Sequence, residues 1–301
     1  MIDPLILSGK EVSASVYDSL DQKIKSLKKN NITPGLAVVL VGEDSASQVY
    51  VRSKTKTFNK LSLFTKTYRL PSNSSEKELL ELIDDLNKNN LFHGILVQLP
   101  LPGHIDSDKV INRILPYKDV DGFHPENAGL LSIGKPRFIP CTPKGIMEIL
   151  KYYKIKLDGK HVVVVGRSSI VGRPISILTS LKGENSNGTT TICHSGTKDI
   201  GKHTKSGDVV IVALGVPGFL KENMIKEGAV VIDVGINRVD DISKKGYRLV
   251  GDADWEGIYK KAAAITPVPG GVGPMTIAML VQNTVDAAEY QESESVQRNK
   301  F

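Results

Sequence analysis

The chain has 301 residues, 40% of them hydrophobic, with 39 basic against 33 acidic side chains and a formal net charge of +6. That is ordinary packed globular composition, long enough for two domains. The basic excess is spread without a block of like charge, which argues against a nucleic-acid partner, and no stretch approaches the ~18 apolar residues of a membrane span.

In chain order, residues 10–29 read as an amphipathic helix and "GLAVVLVG" (35–42) as a buried strand. A helix over 45–62 follows, and within it "SQVYVRSKTK" sets Tyr50 and Lys54 four apart, one turn apart on one face. A strand at 64–70, a helix at 75–88 and the strand "GILVQL" (94–99) complete an alternation that implies a parallel sheet. Residues 116–140, containing "PYKDVDGFHPENAG", read as a turn-rich boundary. Beyond it come a helix at 143–153 and strands at 161–166, 189–195, 208–215 and 229–235, the pattern of a nucleotide-binding domain. A last helix, 274–290, begins at Pro274 and is expected to pack back on the first domain. The closing "QESESVQRNK" is expected to fray. The expected fold is therefore two α/β domains, the second Rossmann-like, with a cleft between them. Residues 1–120 with helix 274–290 form the first domain and residues 140–268 the second.

Cys141 and Cys193 give neither a disulfide framework nor a zinc spacing, so packed thiols and no metal are expected. The opening "MIDPLILSGK" is too short in its apolar run for a signal peptide, which points to the cytoplasm.

In "VVVVGRSSIVGRP", Gly166 ends a strand and Gly172 precedes a helix, a turn whose amides suit a pyrophosphate. The spacing is not GxGxxG, and a tight strand–helix turn could use both glycines for packing alone. The next strand ends at "CHS" without the acidic residue that holds a ribose 2′-hydroxyl. Arg167 in the loop and Ser195 at the strand end suit a 2′-phosphate instead, favouring NADP over NAD. Taken singly, other residues read blandly: Gln98 as a strand cap, Asp121 as a turn former, Lys54 as solvated and Tyr50 as core.

Six motifs change that reading by occurring together and in order: "YVRSK", "VQLPLP", "KDVDG", "CTPKG", "GRSSIVGRP" and "ITPVPGGVGPMT". From about residue 5 to 288 the chain resembles the bifunctional methylenetetrahydrofolate dehydrogenase/cyclohydrolase family, the FolD family of bacteria. One segment departs from it: "GDADWEG" has Ala253 where valine is expected. The resemblance implies NADP-dependent oxidation of 5,10-methylenetetrahydrofolate to the methenyl form, then hydrolysis to 10-formyltetrahydrofolate. It implies Lys54 as catalytic lysine, Gln98 as its hydrogen-bond partner, Tyr50 packed on the folate and Asp121 on the pterin. It implies NADP held by Thr142, Gly166, Arg167, Ser168, Ser195 and Ile236, and folate approach at Pro267, Gly270 and Gly271. It also implies a homodimer. A monofunctional NAD(P)-dependent dehydrogenase of the same family is the alternative, and an oxidoreductase on an unrelated substrate would leave the first-domain set as coincidence.

Overall fold

A computed structural model of the protein describes residues 3–242 and 246–298. The chain begins with β1 (Leu5–Ile6), α1 (Gly9–Lys29), β2 (Gly35–Val41), α2 (Ser45–Lys60), β3 (Phe64–Leu70), α3 (Glu76–Lys88) and β4 (Gly94–Val97). Then come α4 (Ser107–Arg113), α5 (Pro125–Ser132), α6 (Cys141–Tyr152), β5 (His161–Val165), α7 (Gly172–Ser180), β6 (Thr189–Cys193), α8 (Ile200–Ser206) and β7 (Val209–Val212). After a 3-10 turn at Glu222–Met224 the chain forms β8 (Val230–Asp233), β9 (Asn237–Asp240), β10 (Tyr247–Val250), α9 (Trp255–Tyr259), β11 (Ala264–Ile265) and α10 (Val272–Arg298). Two compact units result: residues 17–141 with the chain from Met279 onward, and residues 142–278 with the chain up to Val16.

The unit holding residues 17–141 is built on a parallel sheet in the order β3-β2-β4. Every residue of β2, "GLAVVLV", is buried, as a continuous apolar run requires when both faces of a parallel strand are covered. One covering layer is α3, whose Leu79, Ile83 and Leu86 recur at helical spacing and pack on Val39, Phe92 and Ile95. Helix starts are set by local chemistry. Asp44 accepts from the Ser47 amide at 2.7 Å to start α2, and Ser75 with Glu78 forms a reciprocal capping box on α3. Arg113 on α4 makes a two-pronged pair with Asp84 on α3, both contacts 2.6 Å.

The passage expected to be turn-rich also holds a helix. Pro125 occupies the first turn of α5, where its missing N–H costs nothing, and His124 Nδ1 accepts from the Glu126 amide at 3.1 Å. The tail differs too: α10 continues through the first eight residues of the stretch expected to fray. Gln291 anchors it by donating to the carbonyls of His93 (2.8 Å) and Tyr117 (3.1 Å); residues 299 and 300 of that stretch lie outside the described residues.

The other unit carries a six-stranded parallel sheet, β1-β11-β8-β7-β5-β6. Its centre is apolar and closed: Val163, Val165, Val210, Val212 and Val231 are fully buried. The N-terminal strand is part of this sheet, Leu5 pairing with Ala264 and Ile6 with Ile265, whereas residues 1–120 read as one domain in sequence order. Two residues are too short a strand to register as a period. β9 and β10 form a separate antiparallel hairpin, with Arg238 over the Tyr247 ring at 3.9 Å. Both cysteines are buried, and neither forms a disulfide. Among the described residues no helix is long and apolar enough to cross a membrane, and no cluster of His, Cys, Asp and Glu could hold a metal ion.

Candidate active site

α2 presents two different faces. Ser47, Val51, Lys54 and Phe58 are its buried residues, so the lysine shares the helix's inward stripe with apolar side chains. Lys54 is only 7% exposed, and its Nζ donates to Gln98 Oε1 at 3.1 Å. Gln98 follows directly on β4, held by its own amide on the Val39 carbonyl (2.8 Å) and by its Nε2 donating to the Leu99 carbonyl (2.7 Å). Both ends of its amide are thus committed, and the oxygen can only face the lysine. Tyr50, one turn before Lys54, is half-buried, and burial pushes its phenol up.

Asp121 completes the group. Its carboxyl is held above the ordinary carboxylate range by burial; the Lys54 charge opposes that shift and the neighbouring Asp119 adds to it. The Cys141 thiol bonds the same carboxyl and the Val120 carbonyl (3.4 Å). Sequence reading missed the support beneath this turn. Asp119, 2% exposed, accepts from the His124 amide and from Asn127 Nδ2, both at 2.8 Å. Lys118, also 2% exposed, donates to the carbonyls of Leu86 (3.2 Å) and Asn89 (2.9 Å), where α3 ends. The signal was present in "KDVDG": three charged residues in four positions beside a buried strand need partners.

In the other unit the glycine turn closes tightly. Gly166 has φ 129°, and a Cβ there would lie 2.4 Å from the Ala213 carbonyl oxygen; at Gly172 it would lie 2.2 Å from the Gly166 oxygen. Neither position admits a side chain, so the backbone of β5 can pass into α7 at close quarters. Ser168 Oγ accepts from the amides of Val171 (3.1 Å) and Gly172 (3.3 Å), setting the first turn of α7. Register explains the Arg167 and Ser195 pairing. Val165 pairs with Cys193 on adjacent parallel strands, and Arg167 and Ser195 lie two residues beyond on the loops that follow. Both are exposed. A guanidinium and a hydroxyl on the loops that follow two neighbouring strands suit a phosphate.

Ile236, Pro267, Gly270 and Gly271 line one small nook at the ends of β8 and β11. Gly270 has φ 111°, and a Cβ on Gly271 would sit 2.6 Å from the Pro267 oxygen. The Thr142 hydroxyl is bonded to that of Thr276 at 2.9 Å. Two aspartates that sequence reading passed over hold these loops. Asp233 accepts from the amides of Gly235, Asp252 and Ala253 at 2.9–3.0 Å. Asp252 accepts from Leu214 (2.6 Å), Gly215 (2.9 Å) and the Asn237 side chain (2.8 Å). Burial pushes the Asp233 carboxyl up to about 6. An aspartate ending the apolar run "AVVID" was the available clue.

Comparison with known proteins also finds two domains, with bounds that follow sequence order. Residues 7–121 match the family model "Tetrahydrofolate dehydrogenase/cyclohydrolase, catalytic domain", and residues 140–292 its "NAD(P)-binding domain". The bifunctional protein FolD of Acetivibrio thermocellus is 53% identical over 286 residues, covering 95% of this chain and 97% of that one. That of Ligilactobacillus salivarius is 54% identical, covering 94% and 96%. Among solved structures, the bifunctional FolD of Campylobacter jejuni is 47% identical with a TM-score of 0.89 over 95% of this chain and 99% of that one. The Trypanosoma brucei enzyme, complexed with NADP and an inhibitor, is 38% identical with a TM-score of 0.92 over 97% and 99%. The chain belongs to the tetrahydrofolate dehydrogenase/cyclohydrolase family.

Proposed function

We propose that the protein oxidises 5,10-methylenetetrahydrofolate to the methenyl cation with NADP and hydrolyses that cation to 10-formyltetrahydrofolate. The observation that carries this reading is a buried lysine whose amine is oriented by a neutral glutamine beside a carboxyl group. NADP, when bound, accepts the hydride; Gly166, Arg167, Ser168 and Ser195 would hold its phosphates, with Thr142 and Ile236 also on the cofactor. Hydride departure needs orientation above all: Asp121 pairs with donors on the pterin edge, Tyr50 offers a flat surface for stacking, and Pro267, Gly270 and Gly271 let backbone approach the folate.

Hydrolysis makes a different demand. As water bonds to the cationic carbon it loses a proton, which Lys54 takes. The carbon–N5 bond then breaks, N5 gains a proton and the hydroxyl oxygen becomes the formyl carbonyl, so one proton is released overall. Gln98 orients the amine without adding a negative charge. A dehydrogenase alone would have no use for this lysine–glutamine pair as a proton-transfer device, and the similar proteins above are named bifunctional. A homodimer and a cytoplasmic location belong to the same reading, the first open to light scattering on the purified chain. The test of function is absorbance at 340 nm on mixing enzyme with 5,10-methylenetetrahydrofolate and either NADP or NAD. A fast rise with NADP supports the reading; no rise with either cofactor overturns it.

A further inference from the structure

We propose that Asp119 is a positioning residue of the folate site: its buried carboxylate, oriented from α5 by Asn127, governs how the neighbouring Asp121 carboxyl meets the pterin. The inference rests on the function proposed above and deepens it. Asp119 Oδ2 accepts from the His124 amide and from Asn127 Nδ2, both at 2.8 Å, and the Phe123 amide also bonds the carboxyl. Burial pushes this carboxyl up and the donors pull it back; partners that only donate suit its ionised form. Asn127 is itself fully buried, with its amide fixed in orientation. Its Nδ2 donates also to the Pro116 carbonyl at 2.8 Å, and its Oδ1 accepts from Arg137 Nη1 at 3.1 Å. Arg137 is held in turn by Glu126 at 2.6 Å. A chain of directed bonds therefore runs from the surface to the turn that carries Asp121.

Holding a turn needs no charge. An asparagine at position 119 could accept from the same amides without the desolvation cost of a buried carboxylate. What the carboxylate adds is a negative charge beside Asp121. Three groups act on the Asp121 carboxyl: Lys54 from α2 favours its ionisation, Asp119 from the same turn opposes it, and the Cys141 thiol at the start of α6 bonds it. An ionised Asp121 left beside Lys54 would hold the amine's proton, whereas hydrolysis needs that amine free to take one. Asp119 discourages this ionisation until the pterin's donors arrive to compensate it. The turn is held from α10 as well, but without charge: Asn283 Nδ2 donates to the carbonyls of Val120 (2.8 Å) and Ile139 (3.0 Å). Position and charge are thus separable by substitution.

The test measures the KM for 5,10-methylenetetrahydrofolate in the NADP-dependent dehydrogenase assay at pH 6 and pH 8. It uses the wild type, Asp119→Asn and Asn283→Ser, with the melting temperature reporting folding. Asp119→Asn should raise the KM at pH 8 about tenfold, the scale of one hydrogen bond to a charged group, with kcat falling less. Without the Asp119 charge Asp121 ionises more readily, so the increase in KM from pH 8 to pH 6 should be smaller than in the wild type. Asn283→Ser loosens the same turn without changing its charge, and should raise the KM while keeping the wild-type ratio between the two pH values. An unchanged KM in Asp119→Asn, or an unchanged ratio, would overturn the proposal. So would a ratio that moves equally in Asn283→Ser. Where Asp119→Asn does not fold, Asn127→Ser decides: it removes a donor from Asp119 and keeps the charge, and should raise the KM about threefold, the scale of a single hydrogen bond. An unchanged KM there overturns the proposal. A wild type without turnover would overturn the proposed function itself, and this inference with it.

Discussion

At Asp121 burial, a lysine and a second aspartate act on one carboxyl, and the role proposed for it sets that carboxyl against the pterin's donors. Because both reactions use the same folate pose, Asp121→Ala should impair both together. A charged hydrogen bond of this kind is worth ~1.5–3 kcal/mol, so kcat/KM should fall by about one to two decades in each assay. Normal folate kinetics would remove Asp121 from the site. Arg167 allows a sharper distinction. Arg167 is exposed; on the proposed reading it holds the cofactor's 2′-phosphate, so Arg167→Ala should raise the KM for NADP far more than that for NAD. Equal losses would mean that the guanidinium does not read the phosphate. The sequence singles out Arg167 because it follows an apolar strand at a glycine turn, and Asp121 because it stands in the turn motif "KDVDG". Lys118, Asp119, Asp233 and Asp252 were not legible, because their partners are backbone amides and carbonyls that only tertiary structure assembles.

Among elements, the long apolar strands and the capped helices were readable, and the short ones were not. β2, β5 and β7 announce themselves as unbroken apolar runs, whereas α5 depends on a proline and a histidine cap within a polar stretch, and β1 and β11 have two residues each. The ends of β7 and β8 are fixed by the Asp233–Asp252 pair, and that gives an element-scale prediction. Asp233→Asn keeps the shape but offers one acceptor oxygen to three amides bonded at 2.9–3.0 Å. An amide left unpaired costs ~1–3 kcal/mol, at ~2–4 °C per kcal/mol, so the melting temperature at pH 8 should drop by several degrees. The linkage has a definite sign. With its carboxyl raised from 3.8 to about 6, folded Asp233 binds more protons than the unfolded chain in that window, so its contribution to stability is lost as pH rises through it. Asp233→Asn should abolish that slope; an unchanged slope and melting temperature would place the proton elsewhere.

For the whole molecule, the opposite linkage comes from His93. Burial first, and the nearby Lys118 charge second, hold its imidazole down at about 4, and its Nδ1 accepts from the Gly35 amide at 3.1 Å. The unfolded chain takes up this proton near 6.5 and the folded one does not, so the histidine's stabilisation is complete above 6.5 and is lost as pH falls toward 4. Its ring resonances followed by NMR should titrate near pH 4; a midpoint near 6.5 would show the ring to be solvated. Bifunctionality is also a property of the whole chain, because one folate site must serve hydride transfer and proton transfer in turn. The substitution Lys54→Gln preserves a donor toward Gln98 while removing basicity, and so separates the two. The decisive measurement is a paired assay of that variant, following methenyl formation from the methylene substrate and direct hydrolysis of the methenyl substrate. Hydrolysis should fall by the ~10²–10⁴-fold expected when a general acid–base group is removed, with dehydrogenation falling much less and NADP binding intact. Hydrolysis near the wild-type rate would contradict the assignment of proton transfer to Lys54.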